Sequence, residues 1–243
     1  MILNILIGIL FIILISLIFY GAIENFKKLR LILRTNEVSV SEAVKIDDLV
    51  QITGVAKKHK KVLNSPIENK DCLIYNYKIS KSRMKNRNRD RSSWSIVEEG
   101  EDKIDFILED ESGGAYIHTD NSEILLNNTT QYTSSINNLP RNMLQNKNLS
   151  LNLENASINT NLKLSEDVIK PNDKVFIIGQ FKNRNTTNNN TIEVNPDKEI
   201  LISNEDTRKV SINLLLKTIF LFVGGIFVTL FIITILLADL GLL

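Results

Sequence analysis

The chain has 243 residues, of which 29 are Lys or Arg and 28 are Asp or Glu. This near balance gives no electrostatic argument for a nucleic acid or an acidic substrate as the partner. The chain has one cysteine and two histidines, which excludes an internal disulfide framework and a cysteine-rich zinc module. We therefore predict no metal site and no cofactor.

The first element is an apolar run at residues 1–20 that contains no charged side chain. A cleaved signal peptide requires basic residues before a core of about 7–15 apolar residues, and small residues at the cleavage site. This run is longer and has no basic residue before its core. We therefore predict a first transmembrane helix at residues 1–20, followed by a basic juxtamembrane helix at residues 21–36.

Residues 37–210 have the pattern of short strands rich in β-branched and aromatic residues, separated by turn residues. The predicted strands are residues 49–57, 72–79, 104–109, 115–118, 174–181, 191–194 and 199–203. The sequence DESGG predicts a hairpin with its turn at residues 112–114, and the sequence Pro-Asn-Asp at residues 171–173 predicts a second turn. The pattern indicates a mostly β domain, either a small OB-like barrel or a sandwich.

An Asn-rich insertion at residues 120–167 interrupts this pattern. Its apolar residues are scattered, so we expect a long loop with a short helix at residues 139–145. Long loops in compact domains are either functional or disordered.

The second apolar run, residues 214–237, contains one charge, Lys217, followed by 20 residues without any. At about 1.5 Å per residue, such a helix crosses a hydrocarbon core of about 30 Å. We predict the second transmembrane helix here. Basic residues follow the first run and precede or open the second: Lys27, Lys28, Arg30, Arg34, Arg208, Lys209 and Lys217. The positive-inside rule then predicts a two-span protein of the cell membrane with a cytoplasmic central domain.

Two blocks of opposite charge occur in the middle of the chain. Residues 78–91 contain seven basic residues, and residues 98–111 contain eight acidic ones. One interpretation is a hairpin with its turn near residues 88–93, in which the two blocks pair. The alternative is a cationic arm that contacts anionic lipid or a partner. The candidate contact residues are Lys81, Arg83, Lys85, Arg87, Arg89 and Arg91. Nucleic acid is disfavoured, because Trp94 is the single aromatic residue nearby and stacking platforms are lacking.

No catalytic residue is predicted. The sequence contains no nucleotide-binding glycine motif, no HExxH, no CxxC and no GxSxG. Asp110 and Glu111 are adjacent and are expected to be turn residues. Cys72 falls in an apolar strand, which predicts a buried structural thiol. His118 has no acidic or thiol partner close in sequence, so we expect either a satisfied histidine or an exposed surface histidine.

The order of the segments resembles a known family. The pattern runs ITGVAK (52–57), NSPIENKDCLIYNYKI (64–79), DFILEDESGGAYI (105–117), IKPNDKVFIIGQF (169–181) and EILISNED (199–206). It resembles the GIDE or BAM domain, which lies between two membrane helices in the mitochondrial membrane-anchored ubiquitin ligase family. The matching motif residues are Ser65, Pro66, Cys72, Tyr75, Asp110, Gly113, Asp173 and Gly179.

The resemblance implies ligase activity located in a RING, which needs about eight Cys or His ligands for two zinc ions. These 243 residues contain three such residues, one Cys and two His. We therefore expect a non-catalytic interaction or scaffold module at the membrane surface. The alternative is an E3 ubiquitin ligase-like transferase without its own RING. The expected partner is a protein or an anionic lipid at the cytoplasmic face, and homo-oligomerisation is left open.

Overall fold

The computed structural model describes residues 2–83, 93–126, 130–135, 161–186 and 189–239. Its helices are α1 (Ile2–Arg34), α2 (Val40–Ala43) and α3 (Thr207–Asp239). Its strands are β1 (Val50–Lys58), β2 (Leu63–Asn64), β3 (Asp71–Cys72), β4 (Ile74–Arg83), β5 (Ser93–Lys103), β6 (Phe106–Asp110), β7 (Gly113–Ile117), β8 (Ser122–Leu125), β9 (Thr130–Ser135), β10 (Asn161–Ile169), β11 (Lys174–Gly179), β12 (Phe181–Thr186), β13 (Asn189–Val194) and β14 (Ile200–Ser203). The chain divides into a helical unit, Met1–Thr35 with Asp206–Leu243, and a β unit, Asn36–Glu205.

The helical unit consists of α1 and α3, which pack against each other in opposite directions. The Phe19 and Phe222 rings meet edge to face at 5.8 Å. The helices approach closely at Gly225, where an added Cβ would lie 3.1 Å from the Phe19 ring. Two segments are long and apolar enough to cross a membrane: Leu10–Arg34, with a mean hydropathy of 1.7, and Thr207–Ile235, with a mean hydropathy of 2.6.

The threonine hydroxyls of α3 bond within the helix. Thr218, Thr229 and Thr234 each donate to the carbonyl four residues earlier, at 2.7, 2.8 and 2.9 Å respectively. Because hydrocarbon offers no partner to a polar group, this internal bonding suits a helix in lipid.

The larger sheet of the β unit has eight strands in the order β12-β13-β7-β6-β1-β11-β14-β8. The central strand, β1, pairs antiparallel with β11 and β6. Side chains that alternate along these strands fill one core, because successive strand residues point to opposite faces. Its fully buried members include Ile52, Phe106, Leu108, Ile117 and Ile177.

The second sheet has the order β5-β4-β10-β9, and β2 pairs separately with β3. β10 pairs with β4 from Leu162 opposite Lys81 to Ile169 opposite Ile74. A second core forms on one face of this sheet. Its buried residues are Ile67, Cys72, Tyr75, Tyr77, Ile79, Leu162, Leu164 and Val168.

The mostly β fold predicted from the sequence is confirmed. Over the described residues the eight-stranded sheet keeps two free edges, β12 and β8, so the predicted barrel alternative does not apply. Several separate sheets are compatible with the sandwich alternative.

The expectation of a long loop at residues 120–167 is wrong at both ends. β8, β9 and the start of β10 lie there, and β10 is the interior strand between β4 and β9. In β10, Leu162, Leu164, Glu166 and Val168 alternate with polar residues, which is the pattern of a half-buried strand. The helix predicted at 139–145 lies outside the described residues.

Candidate interaction surface

The hairpin of β4 and β5 contains two of the six candidate contact residues, Lys81 and Arg83. Its pairing runs from Ile74 opposite Lys103 to Arg83 opposite Ser93, with a bulge between Ile79 and Ser80. This confirms the predicted hairpin. The predicted turn near residues 88–93 falls almost entirely outside the described residues, as do Lys85, Arg87, Arg89 and Arg91.

The register of β4 and β5 places an acidic residue directly opposite one of the described basic residues. Lys78 faces Glu99, with Nζ and Oε2 3.2 Å apart and both side chains about half exposed. Lys81 and Arg83 instead face Ser95 and Ser93. The register therefore places no acidic residue directly opposite Lys81 or Arg83, because the acidic residues of β5 lie nearer its other end.

Two apolar side chains project from β5 into solvent. Trp94 is 42% exposed and Ile96 is 55% exposed. They are two residues apart and therefore share a face. The register places them opposite Ser82 and Ser80. Sequence reasoning noted Trp94 as an isolated aromatic residue, but neither side chain was identified as a contact residue.

The same sheet face has a polar cavity of about 510 Å³. It includes Asn76, Lys78, Glu99, Ser165 and Asp167 in its lining. Cross-strand partners share a face, and Lys78 is paired with both Glu99 and Ser165. Because Lys78 and Ser80 are two residues apart, this face also includes Ile96 and Trp94. We call the surface of Asn76, Lys78, Trp94, Ile96, Ser165 and Asp167 the arm face.

One carboxylate oxygen of the arm face is unsatisfied. Asp167 Oδ1 is inaccessible to solvent and has no hydrogen-bond partner among the described residues. A buried polar atom without a partner costs free energy. The arm face thus combines exposed apolar area with polar groups able to bind a partner. Lys81 alternates with Ser80 and Ser82 and therefore lies on the other face of the sheet.

On that other face of the sheet, the side chains pack against and hydrogen-bond to one another. Tyr77 donates its hydroxyl to Glu98 at 2.9 Å. Burial, together with this hydrogen bond, raises the pKa of Tyr77 to about 12. Tyr75, one of the motif residues, is also buried there, and burial raises its pKa.

Ser65 and Pro66 belong to the loop between β2 and β3, and Cys72, the last residue of β3, is part of the second core. Ser65 N–H donates to the Lys70 carbonyl at 2.9 Å, and Lys70 N–H donates to Ser65 Oγ at 3.2 Å. All three motif residues are buried. Burial raises the pKa of Cys72 to about 12, as expected for a structural thiol and unlike an activated nucleophile.

Glu166 anchors the same loop from β10. Its carboxylate is 1% exposed and accepts the Ile67 N–H at 2.7 Å and the Glu68 N–H at 3.1 Å. Sequence reasoning missed this residue because its partners lie about a hundred residues away along the chain, with separations of 99 and 98.

Asp110 and Gly113 build the β6–β7 turn. Asp110 Oδ1 accepts from Ser112 N at 2.8 Å, from Ser112 Oγ at 2.7 Å and from Gly113 N at 3.0 Å. Its Oδ2 accepts the Val40 N–H at 2.8 Å and so fixes the start of α2. Partial burial raises the pKa of Asp110, but these hydrogen bonds outweigh burial, and the net pKa is lowered. Gly113 has a φ of +152°, a conformation that favours glycine.

Asp173 and Gly179 flank β11. Asp173 accepts the Lys170 N–H at 2.8 Å and closes the predicted Pro171–Asn172 turn, in which Asn172 has a φ of +75°. At Gly179 an added Cβ would lie 2.6 Å from Val194. The eight motif residues therefore determine turns and close packing, and they are distributed over both sheets.

His118 lies between two carboxylates that are distant in sequence. Its Nδ1 is 3.4 Å from Asp105 Oδ2, and its Nε2 is 3.5 Å from Glu193 Oε2. These contacts agree with the satisfied alternative of the sequence-based expectation for His118. Among the described residues, no group of three His, Cys, Asp or Glu has a geometry that could hold a metal ion.

Comparison with known proteins identifies the family. The model of the GIDE family, described as E3 ubiquitin ligase, matches residues 76–237, which is more than half of the chain. Neither a curated protein nor a solved structure is significantly similar. The matched range includes the arm face, the turn at Asp110, β11 and α3. The chain belongs to the GIDE family.

Proposed function

We propose that this protein is a non-catalytic, membrane-anchored interaction module that docks a partner on the arm face. The observation that carries the proposal is the exposure of Trp94 and Ile96 beside a polar cavity. Aromatic side chains dominate binding energy when a partner covers them, and neighbouring polar groups supply specificity. The arm face offers both.

The two apolar helices support a position at a membrane. In the proposed arrangement α1 and α3 cross the cell membrane, and the β unit lies in the cytoplasm. The basic residues beside both spans favour this orientation. The partner is a protein or an anionic lipid, and the basic residues of the block at residues 78–91 add electrostatic attraction in either case.

The family description favours a second candidate, ligase-type transfer. The single cysteine is buried, and its raised pKa opposes thiolate chemistry. A RING also needs more Cys and His ligands than these residues contain. In this alternative the protein positions a substrate while a bound partner supplies the transfer chemistry.

Crosslinking in native membranes followed by affinity purification tests the proposal. The full chain is compared with the double variant Trp94→Ala, Ile96→Ser. Tyr132→Ala, which removes a 47% exposed aromatic residue of β9, is the control. Tyr132 faces Leu164 and so lies away from the arm face. We expect the partner to be lost in the double variant and retained in the control. Equal recovery in all three proteins would refute docking on the arm face.

A further inference from the structure

A second charged feature of the β unit lies at the end of β1, apart from the arm face. Residues 57–61 read Lys-Lys-His-Lys-Lys, five consecutive basic or titratable side chains. Lys58 is the last residue of β1, and the remaining three enter the loop before β2. Lys57 is held by a hydrogen bond from its Nζ to Asn172 Oδ1 at 2.7 Å.

The residues that follow line a small cavity of about 270 Å³. Its lining includes His59, Lys60, Lys61, Lys103, Asp105 and Tyr116. Lys103 comes from the end of β5 and Tyr116 from β7. Basic groups from two separate parts of the chain therefore converge on one concave surface.

The lysines of the loop are not neutralised. Lys60 and Lys61 are exposed and form no ion pair with any described residue. One of the two acidic residues of the lining is Asp105. Its Oδ1 accepts from Thr119 N at 3.0 Å and Thr119 Oγ1 at 3.3 Å, and its Oδ2 accepts the Tyr116 hydroxyl at 2.9 Å.

Asp105 therefore stays anionic, but its two carboxylate oxygens accept hydrogen bonds from Thr119 and Tyr116. Burial raises the pKa of Asp105, but the hydrogen bonds from Thr119 and Tyr116 and the nearby His118 outweigh burial and lower it overall. The remaining acidic residue of the lining, Asp120, is exposed. The lining thus has three lysines and a histidine but two carboxylates, and the Asp105 carboxylate already accepts hydrogen bonds from Thr119 and Tyr116. Lys103 Nζ donates one hydrogen bond to the Ser122 carbonyl at 3.3 Å, which leaves two of its three N–H groups for a ligand.

His59 is positioned by an aromatic contact. Its ring meets Tyr116 edge to face, with 5.0 Å between ring centroids. Tyr116 is fixed in turn by its hydrogen bond to Asp105. The imidazole is thereby oriented at the cavity, whereas Lys60 and Lys61 remain free to adjust to a ligand.

We propose that this cavity binds a phosphate group, held by Lys60, Lys61 and Lys103 with a hydrogen bond from His59. Lysine ammonium groups are established phosphate partners, acting as point charges that need no fixed geometry. The cavity lies just below the range of about 300–1,000 Å³ found for whole small-molecule ligands, which suits one phosphate-bearing group better than a large cofactor. That phosphate is either the headgroup of a phosphomonoester lipid or part of a soluble phosphate ester.

Calorimetric titration of inorganic pyrophosphate into the full chain tests the site. The chain is held in nanodiscs of zwitterionic lipid, so that no other phosphomonoester is present. The test variant is Lys60→Gln, Lys61→Gln. The control, Lys45→Gln, Lys198→Gln, removes the same charge from exposed positions that do not line the cavity. Lys103→Gln is a third variant that leaves the loop sequence intact.

We expect saturable binding that weakens about tenfold in the test variant and severalfold in Lys103→Gln, since exposed charge contacts contribute roughly two- to fivefold each. The control should bind as the unmodified chain does. Absence of binding, or equal weakening in test and control variants, would overturn the proposal.

Nanodiscs containing phosphatidic acid distinguish the two sources. If the lipid headgroup occupies the cavity, pyrophosphate binds more weakly in these discs, and Lys60→Gln, Lys61→Gln abolishes the difference. If the ligand is soluble, affinity for pyrophosphate is the same in both discs. Either result upholds a phosphate site and assigns its ligand.

Discussion

Removal of the Asp110 carboxylate tests how the β6–β7 turn and the start of α2 are held together. The carboxylate accepts four hydrogen bonds, from Val40 N, Ser112 N, Ser112 Oγ and Gly113 N. A hydrogen bond to a charged group contributes about 1.5–3 kcal/mol, but water replaces part of this at a partly exposed site. We therefore expect Asp110→Ala to lower the free energy of unfolding by about 2–3 kcal/mol in total.

Two further variants separate the loss of the Asp110 hydrogen bonds from the loss of a negative charge. Asp110→Asn retains one acceptor oxygen and should cost about 1 kcal/mol. Glu111→Ala removes the same charge from the exposed neighbouring residue and should stay within about 0.5 kcal/mol of the unmodified chain. Urea denaturation of the full chain in mild detergent, followed by the circular dichroism of the strands, provides the comparison. If Asp110→Ala and Glu111→Ala lowered the free energy of unfolding equally, the hydrogen bonds of Asp110 would not be what stabilises the turn.

The same site predicts a dependence on pH. Because the pKa of Asp110 is lowered in the folded protein, its contribution is fully present above the unfolded value of about 3.9. The contribution is lost as the pH falls through the lower, folded pKa. The stability difference between the unmodified chain and Asp110→Asn should therefore shrink with acidification below about pH 4. A difference that grows in acid would contradict the hydrogen-bond assignment.

Three further predictions concern the second core and the membrane topology. Cys72, whose pKa is raised to about 12, should react with iodoacetamide only after the β unit opens, so native protein should resist labelling that urea permits. Glu166→Ala should accelerate that labelling roughly thirtyfold, reflecting about 2 kcal/mol lost from the loop over Cys72, whereas exposed Glu199→Ala should not. In a Cys72→Ser background, Lys198→Cys should be shielded from an impermeant thiol reagent in intact cells, because the β unit is proposed to lie in the cytoplasm. Labelling without lysis would show that the orientation is the opposite one.

Local patterns were sufficient to predict much of the β unit. The alternation at β1, the aromatic residues of β4 and the turns at Asp110 and Asp173 all depend on neighbours within a few residues. β10 was missed because its polar residues continue an Asn-rich segment, although Leu162, Leu164 and Val168 do alternate. The sequence could not assign that strand without its partner, β4.

Strand register and long-range contacts explain the remaining differences between the predictions from the sequence and the structure. The two charge blocks are adjacent in sequence, but the bulge at Ile79 and the length of β5 place serines opposite Lys81 and Arg83. The same register brings Trp94 and Ile96 to the face of the polar cavity. His118 and Glu166 acquire their partners across different strands. None of these pairings has a local signal in the sequence.

Site-specific photo-crosslinking in native membranes tests docking on the arm face most directly. A photoreactive amino acid replaces Trp94 in one protein and Tyr132 in another, so that both probes are exposed on the same sheet but on opposite faces. We expect a discrete protein or lipid adduct from position 94 and none from position 132. Adducts of equal yield at both positions, or none at position 94, would contradict docking on the arm face.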